Sequence, residues 1–127
     1  MRIAYRIWLV NDGKAFGEGP FQLLRMVVKE GSLLQAAKSM KMSYQKAWVI
    51  TRRCEELLGF PLLERRIGGT KGGGSQVTEA GKEFMKTYGR FRKETEKKLN
   101  AAFKKYFGRP FLVSPVKTKK KDNRFRY

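Results

Sequence analysis

Four consecutive residues, Ser43 to Lys46, carry side chains of the types that read duplex DNA. Gln45 can bond bidentately to adenine, and Lys46 can reach guanine or a phosphate. The hydroxyls of Ser43 and Tyr44 are groups that commonly hold phosphates, and the amide end of a helix also favours anions. We therefore expect the first turns of a helix that opens at Ser43 to meet DNA. The alternative is that these residues are the polar face of a core helix.

The residues around this tetrapeptide have the spacing of a helix-turn-helix. Ser32 is a good N-cap for a helix that runs to Met40, and Lys41 and Met42 form a tight turn. From Tyr44 the apolar positions hold a 3.6-residue period up to Gly59. In such a unit the first helix crosses the DNA backbone and the second enters the major groove.

Further DNA contacts are expected along both helices, at Ser32, Val49, Arg52 and Arg53. Arg52 and Arg53 lie about two turns into the second helix and suit the backbone better than the bases. Trp48 is assigned to the core, because an aromatic residue at helical spacing more often packs than reads bases.

A glycine-rich segment with cations follows the second helix. Leu62 to Ile67 and Gln76-Val77 are predicted strands, and the glycines from Gly68 to Gly74 form the tip between them. This hairpin is the predicted wing, whose DNA contacts are Arg65, Arg66 and Lys71. The alternative is a flexible surface loop. Nucleotide binding is rejected, since the glycine spacing matches neither common phosphate-binding motif.

The N-terminal third predicts a hairpin and a helix. Ile3 to Val10 favours a strand, Asn11-Asp12-Gly13 a turn, and Ala15-Phe16 a short return strand. A helix follows, with Pro20 in its first turn, and Gly31 stops it after Glu30. Its apolar positions are predicted to face the core, namely Leu23, Leu24, Val27 and Val28.

The C-terminal third predicts a long helix and a basic tail. Thr78 caps a helix that reaches about Phe107, on the order of 45 Å long. Its apolar or small positions recur in steps of three and four residues, which suits a partner helix and predicts a dimer. These seam positions are Phe84, Tyr88, Phe91, Thr95, Leu99, Ala102 and Tyr106. Residues 108–127 are mostly basic and expected to be flexible.

Composition supports nucleic acid as the partner. The 127 residues make one domain, and 29 Lys and Arg against 11 Asp and Glu give a net charge of +18. The hydrophobic content of 41% is too high for a disordered polycation. We predict a mainly α fold with a small β part (α+β). This fold is a winged helix-turn-helix over residues 1–107, with an N-terminal β-hairpin and a dimerisation helix at about 78–107.

Several classes of function are not expected. Without His and with Cys54 as the single cysteine, the chain offers neither a disulfide framework nor a common zinc site. We predict no catalytic residue, no metal and no cofactor, and we read Cys54 as a core residue and Glu55-Glu56 as a solvated face. The pattern shows neither a membrane span nor an export signal, so the expected location is the cytoplasm, in association with the nucleoid.

The motifs taken together resemble a known family. They are Gly31-Ser32, Ala36-Ala37, Met42-Ser43-Tyr44, Ala47-Trp48, Leu63-Glu64-Arg65, the glycine run, and Val77-Thr78 with Gly81. They look like the N-terminal domain of ModE-type molybdate-responsive transcription regulators, which are related to the LysR type. The resemblance implies a dimeric bacterial or archaeal DNA-binding protein. Proteins of this kind often continue into an oxyanion-binding domain, whereas this sequence stops at Tyr127, so molybdate binding is not carried over.

Three hypotheses follow. The first is a homodimeric transcription regulator that binds an inverted repeat in double-stranded DNA. The second is an architectural, chromatin-like protein that coats DNA through its charge without sequence choice. The third is an adaptor that uses the winged helix for protein contact, for which a charge of +18 is poorly suited.

Overall fold

The structure is a computed structural model that describes residues 1–66 and 74–108, except for the side chain of Arg66. Four helices and two separate two-stranded antiparallel sheets make up this part of the chain. In chain order the elements are β1 (Trp8–Val10), β2 (Lys14–Gly17), α1 (Glu18–Glu30), α2 (Leu33–Ser39), α3 (Tyr44–Leu58), β3 (Leu63–Arg66), β4 (Gly74–Val77) and α4 (Glu79–Phe107). The predicted winged helix-turn-helix with a long C-terminal helix is confirmed.

The N-terminal hairpin is shorter than predicted. The first strand covers only Trp8–Val10, where Leu9 pairs with Phe16, and residues 3–7 are not strand. The reason is that β2 ends at Gly17 and α1 starts at the next residue, so β2 offers no further residue for strand pairing. At the turn, Asn11 Nδ2 donates to the Leu57 carbonyl over 2.6 Å, which ties the hairpin to the end of α3.

Helix α1 ends as the sequence predicts. Gly31 has a φ of 83° and donates its N–H to the Val27 carbonyl, and a side chain would be strained in this left-handed conformation. Leu23, Leu24 and Val27 are buried as expected, but Val28 is 57% exposed. The expectation for Val28 is wrong, because it lies about 100° around the helix from Val27 and faces outward.

Both helices of the helix-turn-helix start at the predicted caps. Ser32 Oγ accepts the N–H of Gln35, and Ser43 Oγ accepts the N–H of Lys46, each over 3.1 Å. Ala36, Ala37 and Ala47 are buried, so small side chains lie in the core on both helices. The turn is held by the Met42 N–H, which donates to the Ala37 carbonyl over 3.0 Å.

The base of the wing is held from both sides. Glu55 Oε2 of α3 accepts the N–H groups of Leu62 and Leu63, at 2.7 and 3.1 Å. On the other side Thr78 donates its N–H to the Leu62 carbonyl over 2.9 Å and its hydroxyl to the Pro61 carbonyl over 2.7 Å. The expectation that Glu55 belongs to a solvated face is wrong, since its carboxylate fixes where the wing leaves α3.

Gly81 allows the start of α4 to approach the base of the wing closely. A Cβ at Gly81 would lie 2.9 Å from the Leu62 carbonyl oxygen and 2.9 Å from a Val77 methyl group. The predicted cap at Thr78 is confirmed, because its Oγ1 accepts the Gly81 N–H over 2.9 Å. The first turn of α4 therefore packs directly on Leu62, just before β3, and on Val77 of β4.

The first turns of α4 pack into an aromatic core. Phe16 is fully buried and meets the rings of Phe84 and Tyr88 edge-on, with centroids 4.8 and 5.0 Å apart. Tyr88 is 3% exposed and also contacts Phe21, and Phe84 also contacts Phe60. The predicted dimer seam is thus wrong at its start, because Phe84 and Tyr88 pack inside their own chain.

The chain divides into two compact units. One unit is Arg6–Gly89, which contains the hairpin, the helix-turn-helix, the wing and the aromatic core. The other unit groups Met1–Tyr5 with the chain from Arg90 onward. In the described part of this second unit α4 exposes Phe91, Tyr106 and Phe107.

Candidate nucleic-acid interface

The outward side of α3 carries five of the eleven predicted DNA contacts. Tyr44, Gln45, Lys46, Val49 and Arg52 are all exposed, with 41% exposure for Tyr44 and 53% for Val49. Ala47, Thr51 and Cys54 are buried on the opposite side, so the helix is amphipathic as predicted. The structure therefore brings these five predicted residues together on one solvent-facing surface.

Trp48 belongs to this surface and not to the core. It is 41% exposed, and the Arg52 guanidinium lies over its ring at 5.5 Å. The sequence assignment to the core is wrong because Trp48 is four residues after Tyr44, on the same side of the helix. That spacing was the available signal, and the general preference of Trp for burial outweighed it.

A cleft of about 430 Å³ separates α3 from the wing. Tyr44, Trp48 and Arg52 line it from α3, while Arg65 and Ser75 line it from the wing, where these two residues face each other in register. The remaining lining residues are Leu33, Thr51, Glu55 and Leu63. The cleft thus joins two aromatic rings, two guanidinium groups and one carboxylate.

Arg52 is held at the edge of this cleft. Its Nη1 lies 3.7 Å from Glu55 Oε1, while its side chain remains 56% exposed and that of Glu55 only 12%. The carboxylate therefore contacts the guanidinium from the protein side and leaves it open toward solvent. Arg52 is well placed to meet an anion, whereas the partly screened ion pair itself adds little to stability.

Arg53 lies on the other edge of α3. Its Nη2 is the atom nearest to a Cβ built on Gly13, at 3.2 Å, so this side chain lies against the turn of the N-terminal hairpin. Successive helical residues are about 100° apart, which separates Arg53 from Arg52 and from the wing. The two arginines predicted to act together face different parts of the surface.

The remaining predicted contacts are placed as follows. Ser32 and Ser43 use their hydroxyl oxygens as helix caps, and each keeps a hydroxyl hydrogen for donation. Arg65 is exposed on β3. The side chain of Arg66 and all of Lys71 lie outside the described residues, as does the tip of the wing.

The interior of α3 offers no reactive group. Burial raises the pKa of the Cys54 thiol from 9.0 to about 11, with a further contribution from the charge of Glu55, while Arg53 acts in the opposite direction. At neutral pH this cysteine is a small apolar core residue, as predicted. Within residues 1–66 and 74–108 no group of acidic, Cys or His side chains has the arrangement of a metal site. None of the helices in those ranges has the length and apolar character that membrane crossing requires.

Known proteins share this part of the chain. The family model for bacterial regulatory helix-turn-helix proteins of the lysR family matches residues 20–82. The molybdenum transport protein ModE of Azotobacter vinelandii is 35% identical over 88 residues, which cover 68% of this chain and 33% of the relative. The transcriptional regulator ModE of Haemophilus influenzae is 37% identical over 67 residues, or 53% of this chain and 26% of the relative.

A third relative is the DNA-binding transcriptional dual regulator ModE of Escherichia coli, which is 35% identical over 66 residues, or 52% of this chain and 25% of the relative. The chain spans about a quarter to a third of the length of these three relatives. The segment that the family model matches contains α1 from Pro20 onward, the helix-turn-helix, both wing strands and the start of α4. Residues 20–82 of this chain are therefore a helix-turn-helix domain of the lysR family of bacterial regulatory proteins, and the chain is similar in sequence to ModE.

Proposed function

We propose that the chain is a sequence-specific transcription regulator that binds an inverted repeat in double-stranded DNA as a homodimer. The observation that carries this proposal is the outward side of α3, where Gln45 and Lys46 are both exposed in the first turn. In a helix-turn-helix the N-terminal residues of the second helix contact base edges. Gln45 and Lys46 are the two residues there that can distinguish bases.

The backbone contacts come from the flanks of this surface. Arg52 and Arg65 lie on the two sides of the cleft, and both are exposed. Arg66 and Lys71 extend the same role into the wing as predictions from the sequence. A net charge of +18 supports phosphate contacts that release counterions, so affinity should fall steeply with salt.

The second unit supports pairing of two copies. Along α4 beyond Gly89, Phe91 is 46% exposed and Tyr106 is 63% exposed. Thr95, Leu99 and Ala102 continue the same side of the helix at steps of three and four residues. A symmetric dimer through this side would present two copies of α3, which suits half-sites about 34 Å apart.

Selection from a pool of random duplexes tests the proposal. The expected result is a defined motif with two-fold symmetry, bound about 10³-fold or more tightly than random duplex. If random duplex displaces the selected sites at equal concentration, the sequence-specific function is wrong and the architectural hypothesis holds. The charge of the chain makes this second outcome a real competitor.

Two matched variants separate sequence-specific base contacts from non-specific phosphate contacts. Gln45→Ala should weaken the selected site by about tenfold and leave random duplex nearly unchanged, because one base contact is lost. Arg65→Ala should weaken both duplexes alike, since it removes a phosphate contact. Equal losses of both variants on both duplexes would contradict this division of roles.

A further inference from the structure

The cleft between α3 and the wing is lined by charged and aromatic groups that are separate from the proposed base contacts, Gln45 and Lys46. Its α3 side holds a guanidinium over an indole ring, and its wing side holds a second guanidinium beside a hydroxyl, from Arg65 and Ser75. Cations, a hydroxyl donor and flat apolar rings together suit a sugar-phosphate, in which an anion is joined to an uncharged sugar. The volume of about 430 Å³ lies within the usual range of ligand sites.

The contacts of Arg52 leave its binding edge free for such a group. The ring of Trp48 covers the guanidinium at 5.5 Å, and Glu55 Oε1 approaches Nη1 at 3.7 Å from the protein side. A guanidinium has five N–H donors, so contacts with one ring and one carboxylate leave donors for a phosphate. With 56% of the Arg52 side chain exposed, these donors are accessible from solvent.

We propose that this cleft holds one phosphate of a DNA strand and that Trp48 is a positioning residue, which keeps the Arg52 guanidinium oriented for that phosphate. The inference rests on the proposed DNA-binding function, and it adds a residue that the sequence placed in the core. The neighbouring ring limits the rotamers of Arg52, so less conformational entropy is lost when the phosphate binds. Glu55 supports the same orientation and also fixes the wing, through the N–H groups of Leu62 and Leu63.

A double-mutant cycle on the whole chain tests the positioning role. The probe is a fluorescent random-sequence duplex of about 25 base pairs, titrated between about 50 and 200 mM salt. Arg52→Ala should weaken binding about tenfold and lower the slope of log affinity against log salt by about 0.9, because one phosphate contact is lost. Trp48→Ala should cost about threefold alone and nothing further in the Arg52→Ala background.

Two more variants exclude simple explanations. Trp48→Phe keeps an aromatic face and should restore most of the affinity, whereas a role in folding would appear as a lower unfolding midpoint in both Trp48 variants. Arg25→Ala is the matched control, because Arg25 is also exposed and lies 5.6 Å over an aromatic ring, that of Phe21, but does not line the cleft. We expect Arg25→Ala to leave the affinity within about twofold and the salt slope unchanged.

The outcomes separate the inference from the proposed function. If the unsubstituted chain does not bind duplex in this salt range, both are overturned. If the unsubstituted chain binds, two results would show that only the positioning role is wrong. One is that Arg52→Ala changes the affinity no more than Arg25→Ala does. The other is that the double variant loses affinity by the product of the losses of Trp48→Ala and Arg52→Ala. Displacement of the duplex by a free mononucleotide at micromolar concentration would mark a small-molecule site instead and would also overturn the inference.

Discussion

Two helices of this chain expose aromatic side chains, and their surroundings differ. On α3, Tyr44 and Trp48 border a concave cleft whose opposite side is basic. On α4 beyond Gly89, Phe91 and Tyr106 recur along one side of a helix that also carries Leu99. Rings beside guanidinium groups in a cleft suit a polyanion, whereas rings at heptad spacing suit a second helix. Exposure alone therefore does not define the partner; the neighbouring residues do.

The largest expected effect separates the two parts of α4. Tyr88→Ala should lower the free energy of unfolding by about 3 to 5 kcal/mol, because it empties a buried site beside Phe16 and Phe21. Tyr106→Ala removes the same side chain where it is 63% exposed and should change folding by no more than about 0.5 kcal/mol. Urea unfolding followed by circular dichroism measures both. Equal losses would show that the second half of α4 is also part of the folding core.

Next in size is the effect on pairing. Leu99→Glu should raise the dissociation constant of the proposed dimer about 100-fold or more, because each of the two copies would bring a carboxylate into the apolar side of the pair. Asn100→Glu introduces the same charge one residue later, at an exposed position outside the apolar side, and serves as the control. Sedimentation equilibrium reports the result. If both variants dissociate equally, the charge of the helix and not its apolar side controls association.

The buried side of α3 has its own signature at high pH. The Cys54 thiol has a pKa raised to about 11 by burial, against 9.0 for its ordinary value. Above about pH 9 the unfolded chain loses this proton and the folded chain keeps it, so stability falls between about pH 9 and about pH 11. The loss should approach about 2 to 3 kcal/mol.

Unfolding in urea at a series of pH values measures this loss, with Cys54→Ala as the comparison. The variant retains every other contribution to the pH dependence. The difference between the two pH profiles is therefore the part due to Cys54. Parallel profiles would mean that the thiol is exposed to solvent.

The smallest expected effect concerns the start of α3. Ser43→Ala removes the acceptor of the Lys46 N–H and should cost about 1 kcal/mol of stability. Ser39→Ala is the control, because the Ser39 hydroxyl makes only an exposed hydrogen bond of 3.3 Å to Glu30. Thermal unfolding of the two variants distinguishes them. A loss of stability no larger than that of Ser39→Ala would mean that the first backbone N–H groups of α3 find hydrogen-bond acceptors without the Ser43 hydroxyl.

The elements of this fold were predictable because their signals are local. Caps at Ser32, Ser43 and Thr78 and a glycine at position 31 mark helix ends through groups within a few residues of each other. The predicted first strand of the hairpin is too long, since its length depends on where β2 ends and α1 begins. The solvent-exposed side of α3 follows from the apolar period, except at Trp48, whose residue type favours the core while its angle on the helix places it outside.

The contacts that build the cleft were not predictable in this way. Nothing in the sequence near Glu55 shows that its carboxylate accepts two N–H groups seven and eight residues later. Likewise, heptad spacing along α4 does not show that the rings of Phe84 and Tyr88 pack against Phe16 and Phe60, which come from distant parts of the chain.

By itself, the sequence determined the charge of the chain, the order and caps of its helices and the exposure of Gln45 and Lys46, since these depend on composition, on short-range hydrogen bonds and on the period of the apolar residues. Only the tertiary structure decided which aromatic residues remain outside the core, which arginine faces the wing and how the wing leaves α3. These features depend on packing and hydrogen bonds between residues far apart in the sequence, and local spacing does not encode such partners.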